Sequence, residues 1–279
     1  MYCTDFIFDN IFASDKGYMI CSFNSGNDNV VSGGEVTFTV TKPPVNNKWS
    51  FHGSSFQTQL SIEFSISKMD CDLDDDEIYF TQHEQSDLMR WLQKTDGFRW
   101  LGFDQDGFED VWYNVQINPR PHYFGGRVVG FDCTCLCDSP YGYSPERCFT
   151  KILAVNGTTP IFIDHSDIPG EIHPEVTIKA NGNGNIQLRT GVCKINNNHE
   201  FSSYISSRDT IINSVTQGTE ITLNEDYGLV TGFNDLTNFN FNFPFIGNSY
   251  ESNYNMFKNL SDMSITITVK YRMIRRVYV

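Results

Sequence analysis

Three cysteines, Cys133, Cys135 and Cys137, alternate with other residues, so on a β-strand their side chains leave by one face. Strand residues two positions apart stand about 7 Å from each other, too far for all three to chelate one ion comfortably. The spacing points to reduced thiols packed as small hydrophobes. Zinc held by Cys133, Cys135 and a distant His is the alternative. The acidic run Asp70, Asp72, Asp74, Asp75, Asp76 and Glu77 opens like a calcium loop, with oxygens at alternate positions. It then departs from the pattern, because Asp75 occupies the place of the turn glycine and Thr81 that of the bidentate Glu. It reads as a solvated loop ahead of a helix.

Ser65-Ile66-Ser67-Lys68 has the S-x-x-K spacing of a serine nucleophile and its lysine. That chemistry needs the Ser at a helix start, so that the Lys one turn later can reach it. On a strand the two point to opposite faces, and the match is chance. No G-x-S-x-G, H-E-x-x-H, Walker A or G-x-G-x-x-G segment occurs, and the 6 His do not cluster at metal-ligand spacing. Asn118-Pro119-Arg120 echoes the N-P-R core with which galectins bind a galactoside, but Gln116 stands where that motif has a His. Trp100 and Trp112 could stack on a sugar, although tryptophans on strands are usually core. No residue is assigned a catalytic, cofactor-binding or metal-binding role. The chain is expected not to be an enzyme and to need no cofactor.

The elements that must position these residues are mostly strands. Asp5 to Phe12, Glu35 to Lys42 (Val36, Phe38 and Val40 on one face) and Gln59 to Ser67 (Leu60, Ile62, Phe64 and Ile66) predict a half-buried antiparallel sheet. The polar stretch Asn46 to Gln57 is long for a bare connection and predicts a hairpin or loop extending from that sheet. One helix interrupts the pattern. Thr81-Gln82-His83-Glu84 fits a capping box, and Leu88, Trp91 and Leu92 follow at helical spacing to face the sheet, with Gly97 as the stop. Arg99 to Phe103 and Asp110 to Ile117 pair across the turn Asp104-Gln105-Asp106-Gly107, and Gly126 to Cys137 adds another strand. Alternation stops around Pro140 to Glu146. Beyond it lie Pro160 to Asp164, Glu175 to Ala180, Ile186 to Thr190, Thr219 to Leu223 and Met263 to Met273, short strands that predict a β-sandwich. Asn181-Gly182-Asn183-Gly184-Asn185 reads as a hairpin turn between two of them.

Composition bounds the function. With 20 Lys+Arg against 34 Asp+Glu, the net charge of −14 opposes any phosphate-binding surface. The 39% hydrophobic and 19% charged content describes a chain that fills a core. Its longest apolar runs, Tyr18 to Cys21 and Ile152 to Val155, fall far short of the ~20 residues a membrane helix needs. Asp5, Asp9 and Asp15 stand where a secretory signal carries basic residues, and the 8 cysteines contain no C-x-x-C pair. Folding in a reducing cytoplasm is the expectation.

Residues 1 to roughly 148 resemble the distal tail protein (Dit) family of long-tailed bacteriophages of Gram-positive hosts. The resemblance is carried by Asp5-Phe6-Ile7-Phe8-Asp9-Asn10-Ile11 with Ser14-Asp15-Lys16-Gly17-Tyr18, and by the single helix with its strand pair Phe98 to Val115. Its most specific part is Gly130-Phe131-Asp132-Cys133 running to Cys137-Asp138-Ser139-Pro140-Tyr141-Gly142-Tyr143-Ser144, similar to the signature that closes the family's first domain. From 149 onward the resemblance rests on a sandwich with Asn/Gly hairpins and on Phe239-Asn240-Phe241-Asn242-Phe243-Pro244.

The resemblance implies a mainly β chain. Residues 1–148 would form a sandwich-like, ring-forming domain with one helix, and 149–279 a galectin-like β-sandwich. It further implies a non-enzymatic hub of the virion tail tip, a homohexameric ring folded in the bacterial host. The ring would contact the tail tube protein above, the tail tip or tail-associated lysin protein below, and receptor-binding proteins at the side. DNA would only pass through its lumen, which an acidic surface suits, and no membrane would be involved. The alternative is a carbohydrate- or receptor-binding adhesion module for the host cell wall, using exposed aromatics among Tyr204, Tyr227, Tyr250 and Tyr254. A cell-wall hydrolase is a third class.

Overall fold

The computed structural model describes residues 5–23, 30–42, 44, 48–56, 58–68, 77–105 and 110–276. It divides into two compact units, with the break between Tyr143 and Ser144 and the second unit ending at Arg275. Among the described residues no helix is long and apolar enough to cross a membrane.

The first unit comprises β1 (Asp5–Phe8), β2 (Ile11–Phe12), β3 (Tyr18–Cys21), β4 (Val30–Ser32), β5 (Val36–Thr41), β6 (Ser50–Phe56), β7 (Ser61–Lys68), α1 (Gln82–Leu92), β8 (Arg99–Asp104), β9 (Trp112–Phe124), β10 (Arg127–Cys137) and β11 (Gly142–Tyr143). Its main sheet is antiparallel, in the order β2-β1-β8-β9-β10-β7-β3, with β4 also on β7 and β11 on β9. Asp5 to Phe12 is two strands rather than one. Asp9 and Asn10 take φ of 52° and 64° and turn the chain back, so that Ile7 pairs with Phe12. Asp and Asn tolerate that left-handed pair, the geometry of a two-residue hairpin loop.

Helix α1 starts where the capping box predicts. The Thr81 hydroxyl accepts from the Glu84 amide at 3.3 Å, and the Glu84 carboxylate accepts from the Thr81 amide at 2.7 Å. Lys68, at the end of β7, reaches the other Glu84 oxygen at 2.8 Å and ties the helix start to the sheet. Leu88, Trp91 and Leu92 are buried, and Trp91 stacks on Phe6 with ring centroids 5.7 Å apart. Phe6 in turn meets Phe64 at 5.1 Å, so β1 and β7 share the core the helix covers.

The second unit comprises β12 (Arg147–Leu153), β13 (Phe162–Ile163), β14 (Gly170–Ile172), β15 (Glu175–Ala180), β16 (Gly184–Ile195), β17 (Phe201–Val215), β18 (Glu220–Asn224), β19 (Leu229–Thr231), β20 (Ile246–Asn248), β21 (Tyr254–Asn259) and β22 (Ile265–Tyr271). A five-stranded sheet, β12-β22-β15-β18-β19, faces a four-stranded one, β13-β21-β16-β17. Phe149 of the first meets Phe257 of the second at 6.3 Å, with Val176, Ile178, Leu188, Ile267 and Val269 buried around them. The Asn181 to Asn185 segment is not a hairpin turn. It carries the chain from β15 in one sheet to β16 in the other, and the Asn183 carboxamide takes the Gln217 amide at 2.7 Å.

The plentiful Asn of this half has a structural use. A carboxamide carries a donor and an acceptor, as a peptide group does, and fully buried Asn259 replaces backbone where strands end. Its Nδ2 donates to the carbonyls of Leu153, Ala154 and Met263 at 3.1, 3.0 and 2.9 Å, and its Oδ1 accepts from Ser261 at 2.9 Å. Buried Asn255 does the same for both polar groups of Gly247. Leaving several buried backbone groups unpaired costs ~1–3 kcal/mol each. Asn259→Ala should therefore destabilise the protein by about 3 kcal/mol or more, against about 1 kcal/mol for Thr81→Ala at the exposed helix cap. Urea denaturation of both variants against wild type measures the difference.

Candidate functional site

Among the described residues, those whose spacing suggested chemistry do not converge. Cys133, Cys135 and Cys137 lie on β10 with their thiols buried in the core of the first unit, and all three are free. Burial pushes the Cys137 thiol up to about 12 and raises those of Cys133 and Cys135 as well. Ser65 donates to Asp132 at 2.7 Å across the β7–β10 pair, while Lys68 turns to Glu84 and the carbonyls of Glu77 and Tyr79. Asn118, Pro119 and Arg120 are mid-strand in β9, with Pro119 opposite Cys133. Trp100 and Trp112 are half-buried, and Trp100 packs edge-on against Tyr143 at 5.4 Å. Asp70, Asp72, Asp74, Asp75 and Asp76 lie outside the described residues, as do Asp106 and Gly107 of the predicted turn. Among the described residues no group of three or more His, Cys, Asp and Glu could hold a metal ion.

The feature that stands apart is an arm. Among the described residues β5 and β6 pair only with each other, as a two-stranded ladder separate from the main sheet. Val36, Phe38 and Val40 do share one face of β5, but they are not in a half-buried sheet: Phe38 is 63% exposed and Val40 42%. Phe51 stands opposite Val40 at 64% exposure, with its ring 6.3 Å from that of Phe38. The other face carries Thr37, Thr39, Thr41, Ser50 and Ser55, and the Thr41 hydroxyl meets His52 Nε2 at 2.6 Å. One face is thus mainly apolar, with Ser54 opposite Phe38, and the other polar, and among the described residues Phe38, Val40 and Phe51 stay exposed on the apolar one.

The base of this arm is fixed. Gly33 and Gly34 take φ of 91° and 69°, and there the chain passes so close to the carbonyls of Gln59 and Pro140 that a Cβ at either position would collide with backbone. Phe56, at the end of β6, packs edge-on against Tyr141 at 6.2 Å. The alternation in β5 was legible in the sequence; its exposure was not, because a core strand and an amphipathic arm share period 2. The available signal was β6, Ser-Phe-His-Gly-Ser-Ser-Phe, which offers too few apolar residues to be a second core strand.

Of the four tyrosines named as sugar-stacking candidates, Tyr204 and Tyr254 are partly buried, whereas Tyr227 is 77% and Tyr250 97% exposed.

Comparison with known proteins accords with this architecture. Residues 1–139 match a family model described as a phage tail protein N-terminal domain, and residues 141–271 match one described as a phage tail C-terminal domain. No curated protein matches the chain by sequence. The crystal structure of the SPP1 Dit (gp 19.1) protein, described as a paradigm of the hub adsorption apparatus in phages infecting Gram-positive hosts, aligns with a TM-score of 0.60 at 9% identity. That alignment covers 96% of this chain and 98% of the other. A chain of the phage P2 baseplate in its activated conformation with Ca aligns with a TM-score of 0.50 at 12% identity, covering 99% of each. At these identities the likeness is one of fold, and the fold is the mainly β, sandwich-type architecture of Dit proteins.

Burial makes one chemical consequence measurable. The thiolate is the reactive form, so iodoacetamide should label exposed Cys148 in the native protein. Cys133, Cys135, Cys137 and Cys193 should react only after denaturant is added, as peptide mass spectrometry will show.

Proposed function

The chain belongs to the phage tail protein family that those two domain models describe, and from that premise we propose that it is a structural subunit of a ring-shaped hub at the tail tip or baseplate. In this reading residues 1–148 close a homohexameric ring and residues 149–279, a galectin-like domain, project outward. The tail tube protein docks on one side, the tail tip or tail-associated lysin protein on the other, and receptor-binding proteins at the periphery. The hub itself catalyses nothing.

The observation that carries the proposal is the uncovered apolar face of the β5–β6 arm. A two-stranded hairpin alone in water is marginally stable at best. Burying a Phe or Val fully is worth about 1.5–3 kcal/mol relative to leaving it exposed, so Phe38, Val40 and Phe51 together offer a neighbouring copy several kcal/mol. A clasp reaching from one subunit onto a different surface of the next is a heterologous contact, the kind that generates closed rings when its rotation closes. The −14 charge suits a lumen from which DNA must slide without adhering.

Native mass spectrometry of the full-length protein at micromolar concentration tests this. Wild type should give a hexamer. The double variant Phe38→Ser, Phe51→Ser should give a folded monomer with the circular dichroism spectrum of wild type, since neither side chain supports the core of its own chain, and a lower melting temperature because the stabilisation from assembly is lost. A double variant that assembles as wild type does would remove the arm from ring closure.

A further inference from the structure

The connection between β20 and β21 displays a bare aromatic ring beside a polar depression. Ser249 and Ser252 close this turn reciprocally, amide to carbonyl, at 2.6 and 3.2 Å. The Ser249 hydroxyl oxygen also accepts the amides of Glu251 and Ser252 at 3.2 Å each. Tyr250 sits at the apex of this braced turn, 97% exposed. No ring contact or hydrogen bond from its side chain occurs among the described residues. The backbone under this ring is braced, the ring contributes nothing to the core of its own chain, and a tyrosine suits a place where an apolar ring meets a ligand while its hydroxyl stays in water.

Tyr250 walls a depression of about 360 Å³, together with Ser166, Asp167, Asn248, Glu251 and Asn253, at the small end of the ~300–1,000 Å³ range of ligand sites. Its floor is preorganised from beneath by buried Asp164. The Asp164 carboxylate accepts from Asn248 Nδ2 at 3.0 Å and from the Ser166 hydroxyl at 2.8 Å, and its carbonyl accepts from Asn253 Nδ2 at 3.0 Å. Asn248 and Asn253 therefore hold their orientations before any ligand arrives.

The lining selects a ligand class. Apart from the Tyr250 ring and Pro169 it is polar throughout, which disfavours a lipid or an aliphatic ligand. No Lys, Arg or His lines it, and its two carboxylates already hold cations behind the lining, Glu251 with Lys194 at 2.7 Å and Asp167 with Arg275 at 3.5 Å, so the depression itself offers an anion no cation and carries little net charge of its own. A flat ring beside carboxylates and carboxamides matches a neutral pyranose, whose C–H face lies on an aromatic ring while its hydroxyls donate to the acceptors around it. We propose that the Tyr250 depression is a saccharide-binding site for a neutral hexose unit of a polysaccharide. The site lies within the second unit and stands whether or not the chain forms a ring. An open, shallow site binds one sugar weakly, about millimolar, and several copies on one particle would multiply that through avidity.

Saturation-transfer NMR of the full-length protein with the methyl glycosides of glucose, galactose, N-acetylglucosamine and N-acetylgalactosamine tests the proposal. At least one glycoside should receive saturation. Tyr250→Ala should weaken that binding by roughly tenfold or more, and Tyr250→Phe should hold it within roughly threefold, because stacking needs the ring and not the hydroxyl. Tyr250 is solvent-exposed, so the variants fold as wild type does, and unchanged melting curves verify this. Saturation of none of the glycosides, or equal saturation in Tyr250→Ala and wild type, overturns the proposal.

Discussion

A β-ladder of two strands cannot stabilise itself in water. Its hydrogen bonds replace bonds to solvent at little net gain, and with no third layer its apolar side chains bury nothing. The arm formed by β5 and β6 lives under this constraint, because among the described residues it pairs with no other strand and turns Phe38, Val40 and Phe51 outward. The chain nevertheless braces the base of the arm, with Gly33 and Gly34 pressed against backbone and Phe56 against Tyr141. A fixed base and an exposed apolar face are what the proposed contact with another copy requires.

The remainder of the first unit supplies the rigidity such a clasp requires. Trp91 of α1, Phe6 of β1 and Phe64 of β7 join helix and sheet through ring contacts. The Thr81–Glu84 cap and the Lys68–Glu84 pair hold the helix start against β7. The three cysteines of β10 complete this core as small side chains, all buried on the one face that their alternate spacing gives them. The second unit meets the same need for pairing differently. Where its strands end or cross between sheets, buried Asn side chains take over the hydrogen bonds that a further strand would have made.

Much of this was legible in the sequence, and the misses have physical causes. The capping box and the Leu88, Trp91 and Leu92 face placed the helix correctly because both signals are local. Leu60, Ile62, Phe64 and Ile66 placed β7 because alternation is strong where one face is buried. The 15-residue strand β17 went unseen, since Ser202, Ser203, Ser206 and Ser207 leave no apolar alternation to read. Asn181 to Asn185 reads as a hairpin loop because turn chemistry is local, whereas the choice between turning back and crossing to another sheet is made by distant strands. The alternation of Val36, Phe38 and Val40 was visible, but period 2 does not say whether the apolar face meets the chain's own core or a neighbour. For the same reason Tyr250 could be named as a candidate from sequence while its depression could not, because Ser166, Asp167 and Asn253 reach it only through the fold.

The central claim is that the apolar face of the arm is covered by another copy of the chain. Hydrogen–deuterium exchange of the full-length protein, followed from dilute to assembled concentrations, tests it most directly. The account predicts that amides of 36–41 and 50–56 exchange quickly in the monomer and become strongly protected as assembly proceeds, while those of β7 and α1 are protected throughout. Assembly that leaves exchange across the arm unchanged would contradict it.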